Sequence, residues 1–179
     1  MTKFQQTAEP GRLVFLDETG LKTNMTRLYG RAYRGARCHD TAPCGHWESL
    51  TILGSVRLDG TTESVVFEGA VDRSMFDEYI KEVLAPSLRP GDIVIMDNLR
   101  AHKSELAKQI VETCQASILF LPPYSPDFNP IEKMWSKIKQ ILRGIKARTD
   151  EELLAGVGKA LDRVSAADAE GWFASCGYI

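Results

Sequence analysis

Two short apolar runs, each followed by an aspartate, place the strongest constraint on how this chain of 179 residues can fold. Residues 13–16 read Leu-Val-Phe-Leu and lead into Asp17, and residues 93–96 read Ile-Val-Ile-Met and lead into Asp97. Apolar runs of about four to eight residues between turn signals are typical of buried strands. The sequence therefore predicts two interior strands with an aspartate at the end of each, at the edge of a sheet.

The other elements follow from hydrophobic periodicity and turn residues. The first strand is predicted over residues 12–17, and strands over 50–58 and 64–68 flank Asp59-Gly60, a strong hairpin signal. Ser74 and Asp77 have capping-box spacing. The remaining predictions are helices over residues 74–88, 103–114, 130–144 and 150–164, and strands over 93–96 and 117–121. This order predicts an α/β fold with a mixed sheet, its first three strands antiparallel, flanked by helices.

Glu132 supplies a third carboxylate, from a helix rather than a strand. Asn129-Pro130 reads as an N-cap followed by proline at the first helical position, so Glu132 is the third helical residue. There glutamate is favoured simply because it caps the helix and complements its dipole. Asp17 and Asp97 are by themselves ordinary turn formers. Together the three carboxylates could bind a pair of Mg²⁺ ions, which prefer hard oxygen ligands. Two such ions stabilise the attacking oxygen and the leaving oxygen of a phosphoryl transfer.

The segments around the carboxylates are distinctive. They read Phe-Leu-Asp-Glu-Thr at 15–19, Met-Asp-Asn-Leu-Arg-Ala-His at 96–102 and Pro-Pro-Tyr-Ser-Pro-Asp-Phe-Asn-Pro-Ile-Glu at 122–132. Between Asp97 and Glu132 lie 34 residues. In these segments and this spacing the chain resembles the catalytic domain of mariner-superfamily transposases, and most closely their bacterial insertion-sequence branch. The resemblance runs from about residue 12 to the end of the chain.

The resemblance implies a ribonuclease H-like fold, which the predicted order of elements fits, and a reaction. Such transposases hydrolyse phosphodiester bonds at the ends of a mobile element, and the freed 3′-hydroxyl then attacks target DNA. By the resemblance, Asp17, Asp97 and Glu132 are catalytic and hold two Mg²⁺ ions, with Mn²⁺ as a substitute. Asn98 and His102 match further motif positions and are expected to orient a metal ligand or a phosphate. For His102, a surface position at a helix start is the alternative.

The charge of the chain is low for a DNA-binding protein, at −2 from 22 basic and 24 acidic residues, so its distribution matters more. One basic cluster follows the first strand (Arg27, Arg31, Arg34, Arg37), and another follows Glu132 (Lys133, Lys137, Lys139, Arg143, Lys146, Arg148). Glu132, Ser136, Lys139 and Arg143 share one helical face, and the apolar stripe that should pack on the sheet is Ile131, Met134, Trp135, Ile138, Ile141, Leu142 and Ile145. We expect Lys133, Lys137, Lys139 and Arg143 to contact double-stranded DNA. The alternative is a solvated helix face.

One catalytic domain is expected over residues 12–179 after a tail at 1–11. No apolar stretch approaches the roughly 20 residues of a membrane span, and four irregularly spaced cysteines fit reduced thiols in the cytoplasm. Mariner-like transposases carry helix-turn-helix modules before the catalytic domain, and the residues before the first strand leave no room for one. We therefore expect a separate helix-turn-helix subunit or a missing N-terminal region. A homodimer on DNA, associated with a bacterial nucleoid, is the expected assembly.

Three other interpretations are open. The cluster Cys38, His39, Cys44 and His46 holds metal-capable side chains, but its spacing matches no common zinc pattern. A catalytically silent descendant that only binds DNA or a partner would keep the same fold. A phospho-acceptor signalling domain would place Asp17, Glu18 and Asp97 in an acidic pocket, but it requires a parallel sheet and a late-strand lysine.

Overall fold

The computed structural model describes residues 4–5, 8–41, 47–99, 102–123 and 125–179. A five-stranded mixed sheet with the order β3-β2-β1-β4-β5 forms its centre. The strands are β1 (Leu13–Lys22), β2 (Ser49–Arg57), β3 (Thr62–Glu68), β4 (Ile93–Met96) and β5 (Ser117–Phe120). Strands β1 to β3 are antiparallel, and β1, β4 and β5 are parallel. The predicted fold class is confirmed, and the mixed sheet contradicts the phospho-acceptor alternative.

Five α-helices lie wholly within the described residues, on both faces of the sheet: α1 (Arg73–Tyr79), α2 (Glu105–Thr113), α3 (Pro130–Ile145), α4 (Asp150–Leu161) and α5 (Ala166–Ser175). The helix predicted over 74–88 is α-helical only to Tyr79, and continues as a π-helical turn over Ile80–Leu84 and a 3-10 turn over Ala85–Ser87. Its N-cap is Asp72, which accepts from the Met75 amide, rather than the predicted Ser74. None of the described helices has the length and apolar character that crossing a bilayer requires.

The helix predicted over residues 150–164 is confirmed as α4, which ends at Leu161, but it is not the last helix, because α5 follows it. Ser165 begins α5 with a capping box, in which its hydroxyl accepts from the Asp168 amide and Asp168 accepts from the Ser165 amide. Helix α5 was not predicted, because its small residues produce no clear apolar stripe. Gly60, in the hairpin turn with φ +83°, lies against the start of α5, where a Cβ would come within 2.7 Å of the Ala166 amide nitrogen.

Strand β1 is longer than predicted, and this changes where Asp17 lies. Residues 18–22 of β1 pair with residues 49–53 of β2, so the strand continues for five residues beyond Asp17. On its other side β1 pairs with β4 only over residues 13–15, because β4 ends at Met96. Asp17 therefore lies inside a strand, at the level where the neighbouring strand stops. The prediction that a strand ends there is wrong.

The alternation of side chains along β1 divides the hydrophobic core into two layers. Leu13 and Phe15 pack with residues of α3, α4 and α5 on one face, and Val14 and Leu16 pack with residues of α1 and α2 on the other. Phe4, in the stretch expected to be a tail, packs against the first layer. Helices thus cover both faces of the sheet.

Candidate active site

The register of β1 and β4 brings Asp17 and Asp97 together. Leu13 is paired with Ile93 and Phe15 with Ile95, in parallel. Continuing this register by two residues places Asp17 beside Asp97, on the sheet face that α3 covers, because side chains two residues apart point to the same side. Since adjacent strands lie about 5 Å apart, the pairing of β1 with β4 makes the two aspartates neighbours.

Helix α3 brings Glu132 to the same place. Pro130 and Ile131 begin the helix as predicted, and Glu132 is its third residue. The next turn is anchored on the sheet by Trp135, which is 1 % exposed and packs over Gly54, the residue of β2 paired with Asp17. A Cβ at position 54 would come within 3.0 Å of the Trp135 ring, so the glycine lets α3 lie close to Asp17. The prediction that Trp135 packs on the sheet is confirmed.

A cavity of about 460 Å³ is lined by all three predicted metal ligands. Its lining residues are Asp17, Asp97, Asn98, Leu99, Leu121, Pro122, Pro123, Ser125, Pro126, Asn129 and Glu132. Among the described residues, no three His, Cys, Asp or Glu side chains are gathered into a ready cation cage. Like charges repel across this cavity, and the aspartates hydrogen-bond to neighbouring residues. The carboxylates share one cavity, and their convergence on two ions stays a prediction.

Asp17 is the most strongly perturbed of the three carboxylates. The pKa of its carboxyl is raised to about 7, chiefly by burial and to a lesser extent by the negative charges of Glu132 and Asp97, against the hydrogen bond from the Glu18 amide. Only 7 % of Asp17 is exposed. A buried carboxylate next to two other carboxylates lacks a compensating positive charge. This environment suits a divalent cation, because such an ion would neutralise the cluster and prefers oxygen ligands.

Asp97 is held in a different way, by His102. The His102 Nδ1 atom lies 2.6 Å from Asp97 Oδ1, and the Leu99 amide donates to the same oxygen at 3.1 Å. Partial burial raises the pKa of Asp97, but the bonds from His102 and Leu99 outweigh burial, and the net shift is downward. His102 is 1 % exposed and stacks on Phe76 with ring centroids 4.7 Å apart. The alternative of a surface position for His102 is wrong.

In the sequence, Asn129 has the pattern of a helix N-cap and nothing more. In the structure its side chain donates from Nδ2 to Asp17 Oδ2 at 3.1 Å, across 112 residues of sequence. The signal that could have revealed it is the spacing Asn-Pro-x-Glu, which ties this residue to the start of the helix that carries Glu132. Asn98, by contrast, is exposed in the wall of the cavity.

The four basic residues expected to contact DNA divide into two groups on α3. Lys139 and Arg143 share the face of Glu132. The pKa of Lys139 is lowered, because its partial burial outweighs the opposing negative charges of Glu132 and Asp17. Lys137 instead faces α5, where its Nζ donates to Asp168 at 2.5 Å and to the Arg163 carbonyl at 2.7 Å. The ion pair with Lys137 lowers the pKa of Asp168 to about 2. Lys133 is exposed, but it lies about 100° around the helix from Glu132.

Parts of the predicted motifs lie outside the described residues. These are Arg100 and Ala101 of the second motif, Tyr124 of the third motif, and Cys44 and His46 of the possible zinc cluster. Ile145, expected in the apolar stripe of α3, is 41 % exposed because it belongs to the last turn of the helix. The rest of the stripe packs against the sheet as predicted.

Comparison with known families identifies the class of protein. The profile of a family described as DDE superfamily endonuclease matches residues 12–154. The chain belongs to this family. As a DDE endonuclease it is similar to two transposases of Caenorhabditis briggsae, those of the transposable elements Tcb1 and Tcb2. It is 26 % identical to each, over 91 residues (49 % of this chain and 33 % of the relative) and 84 residues (45 % and 31 %), respectively.

Solved structures confirm the ribonuclease H-like fold. The Mos1 transposase in a paired-end complex with the left transposon end superimposes with a TM-score of 0.77 at 16 % identity, covering 98 % of this chain and 55 % of that chain. The Mos1 transposase catalytic domain with raltegravir and Mg gives a TM-score of 0.64 at 13 % identity, covering 98 % and 83 %. The chain therefore spans about a third of its curated relatives and about half of the full Mos1 chain.

Proposed function

We propose that this DDE endonuclease is the catalytic domain of a transposase, which cleaves DNA at the ends of a mobile element and joins the freed 3′ ends to target DNA. The observation that carries the proposal is the cavity shared by Asp17, Asp97 and Glu132 on a ribonuclease H-like sheet. Structures of Mos1 transposase with Mg and with Mn support a divalent metal as the cofactor.

In this proposal the three carboxylates hold two Mg²⁺ ions, and Mn²⁺ substitutes for them. The metals would lower the pKa of the attacking water and stabilise the leaving 3′-oxygen. Asp97 would bind a metal through Oδ2, because His102 and Leu99 bond its other oxygen and no described residue donates to Oδ2. Glu132 is exposed at the open side of the cavity.

His102 and Asn98 take the supporting roles. The net lowering of the pKa of Asp97 keeps that group ionised and able only to accept, so His102 donates from Nδ1. The stack on Phe76 fixes the plane of the imidazole ring and with it the direction of the Asp97 carboxylate. Asn98, exposed beside Asp97, is placed to bond a phosphate oxygen of DNA that enters the cavity.

The DNA backbone is proposed to run along the face of α3 that carries Lys139 and Arg143. Beyond Arg143 this face opens into a groove of about 800 Å³ lined by Arg27, Leu28, Tyr29, Gly30, Arg31, Gln140 and Arg143. Among the described residues, three arginines and no carboxylate line this groove. A groove with this positive charge favours the binding of phosphates. Gly144 admits the Arg27 guanidinium against α3, since a Cβ there would come within 2.8 Å of its Nη2. Lys133 contributes more weakly, and Lys137 is withdrawn into its ion pair with Asp168.

The wider assignment rests on the sequence motifs around the three carboxylates. We place the chain in the bacterial insertion-sequence branch, acting on chromosomal DNA at the nucleoid as a homodimer. Recognition of the element ends is assigned to a helix-turn-helix segment or subunit, because phosphate contacts along α3 would carry no sequence information.

Cleavage of DNA by the purified chain tests the proposal. The substrate is supercoiled plasmid carrying the sequences that flank the coding region, incubated with Mg²⁺, with Mn²⁺ or with EDTA. The proposal expects nicking that requires the metal and disappears in Asp97→Asn. Metal-dependent cleavage that persists in Asp97→Asn would overturn the site. DNA binding without any cleavage, alone or with a helix-turn-helix subunit, would favour the silent descendant.

A further inference from the structure

We propose that Asn129 is a positioning residue, which fixes the Asp17 carboxylate against α3 and so sets the metal affinity of the site. The inference rests on the proposed function, because it concerns how the same three carboxylates are held. It assigns Asn129 a role that the helix-capping pattern at the sequence level does not contain.

The first observation is that Asn129 occupies the N-cap of α3 without capping it. Its backbone is extended, with φ −113° and ψ 96°, but within the described residues its side chain accepts no helix amide. The Glu132 amide donates instead to the Asn129 backbone carbonyl at 3.2 Å. The side chain is free for another purpose, and it uses Nδ2 to bond Asp17.

The other described helices of eight residues or more behave differently. Ser104, Thr149 and Ser165 each accept a hydrogen bond from the third helical amide of α2, α4 and α5. A capping bond of this kind contributes about 1 kcal/mol to stability. Helix α3 forgoes it, although it carries a predicted metal ligand in its first turn. The side chain of Asn129 bonds Asp17 in place of a helix amide, which is expected if the contact with Asp17 matters more than the cap.

The second observation concerns the other side-chain atom. Asn129 is 3 % exposed, and its Oδ1 accepts no hydrogen bond from any described residue. The residue belongs to the wall of the cavity that holds Asp17 and Glu132. A buried amide oxygen without a donor is costly, unless a ligand or an ordered water supplies the donor. Water bound to a cation in the cavity is such a donor.

An amide is the side chain that meets both demands. Nδ2 donates to a carboxylate, and Oδ1 accepts from a metal-bound water. Aspartate would cap the helix as well as asparagine, but it would add a fourth negative charge beside Asp17. The contact also joins β1 to the first turn of α3, so the direction of Asp17 and the position of Glu132 are set by one residue.

A double-mutant cycle in EDTA tests the contact without any metal. The unfolding free energies of Asn129→Ser, Asp17→Ala and the double variant are measured by urea denaturation. Serine retains the ability to cap but is too short to reach Asp17. Coupling between the two positions supports the contact, and additive effects overturn it.

Mn²⁺ titration by calorimetry then tests the function of the contact. Asn129→Ser should bind Mn²⁺ about 10-fold more weakly or worse, as expected when an outer partner of a metal ligand is lost. Thr149→Ala, which removes a true cap from α4, is the control: its melting temperature should fall while its Mn²⁺ affinity stays that of the wild type. Wild-type affinity in a folded Asn129→Ser variant overturns the inference. A wild-type chain that binds no Mn²⁺ overturns the proposed function instead, even where the double-mutant cycle shows coupling.

Discussion

His102 Nδ1 lies 2.6 Å from Asp97 Oδ1, in a pocket where Phe76 covers the imidazole ring and where 1 % of His102 is exposed. The pair therefore orients a predicted metal ligand from the buried side, away from the cavity. Asp97 and Asp17 are thus held by different means. A histidine on the α1 and α2 face holds the first, and an asparagine at the start of α3 holds the second.

Removing the His102 bond should weaken the site without unfolding the protein. His102→Phe keeps an aromatic ring for the stack on Phe76 but cannot donate to Asp97. The concentration of Mg²⁺ that gives half-maximal cleavage should rise about 10- to 100-fold. Circular dichroism and the melting temperature report whether the fold is retained. A folded variant with an unchanged Mg²⁺ requirement would show that His102 serves only the packing.

The two aspartates should respond in opposite directions to replacement by asparagine. Repulsion between carboxylates alone would make Asp97→Asn more stable than the wild type without metal. The structure reverses this expectation, because His102 and Leu99 hold the pKa of Asp97 below its usual range and so favour its charge. Asp97→Asn should melt at a lower temperature in EDTA, and Asp17→Asn at a higher one. Cleavage activity should fall by more than about 100-fold in both variants, because losing a metal ligand should cost more than losing a residue that only hydrogen-bonds a ligand. Melting temperatures with the same sign for both would contradict this assignment.

The pKa of Asp17 predicts how the metal-free protein depends on pH. Because this pKa is about 7 in the folded state and 3.8 ordinarily, the folded protein holds a proton that the unfolded chain has released between these values. Stability from this group is therefore complete below about pH 4 and is lost as pH rises to 7, by at most about 4 kcal/mol. In EDTA, Asp17→Asn should lose less unfolding free energy than the wild type between pH 5 and pH 8. Parallel curves for the two proteins would show that burial does not perturb Asp17.

The α3 face should bind DNA through its phosphates and without reading sequence. Non-specific affinity of about 10⁻⁴–10⁻⁶ M is expected, falling steeply with salt. Lys139→Ala with Arg143→Ala should weaken binding equally on flanking-sequence and scrambled duplexes, and flatten the salt slope by up to about two units. Lys81→Ala with Lys108→Ala removes the same charge from the opposite side of the sheet and should change little. Fluorescence anisotropy across a salt series measures both pairs. A strong preference for one duplex by this chain alone would overturn the expectation.

A buried ion pair fixes β4, and therefore Asp97, to the rest of the sheet. Arg57 Nη2 lies 2.6 Å from Asp92 Oδ2, with side chains 3 % and 0 % exposed. Asp92→Ala leaves the guanidinium buried without its partner and should cost about 3–5 kcal/mol of unfolding free energy. Replacing both residues, as Arg57→Met with Asp92→Leu, should recover most of the loss because no charge is left unpaired. Urea denaturation distinguishes the two, and an equal loss in both would show that packing rather than charge dominates there.

Local sequence determined the elements that depend on neighbouring residues. The apolar runs at 13–16 and 93–96 and the Asp59-Gly60 turn were enough to predict the buried strands and the hairpin. Asn129-Pro130 was enough to place Glu132 in the first turn of a helix. The motifs around Asp17, Asp97 and Glu132 resemble those of mariner-superfamily transposases, and the chain belongs to the DDE superfamily endonucleases. These features can be predicted from the sequence because each depends on the hydrophobic pattern or the backbone preferences of a few consecutive residues.

Only the tertiary structure decided the contacts that hold the site. Asp17 lies inside β1 because β2 pairs beyond it while β4 stops short, and strand length is set by the neighbouring strands. The bond between Asn129 and Asp17 joins residues 112 positions apart, so no local pattern encodes it. In the sequence Lys137 cannot be distinguished from the basic residues around it, but in the structure α5 packs beside α3 and Asp168 pairs with Lys137. Such pairings depend on how separate elements pack, because hydrogen bonds and ion pairs act over a few ångströms of space, whatever the distance along the chain.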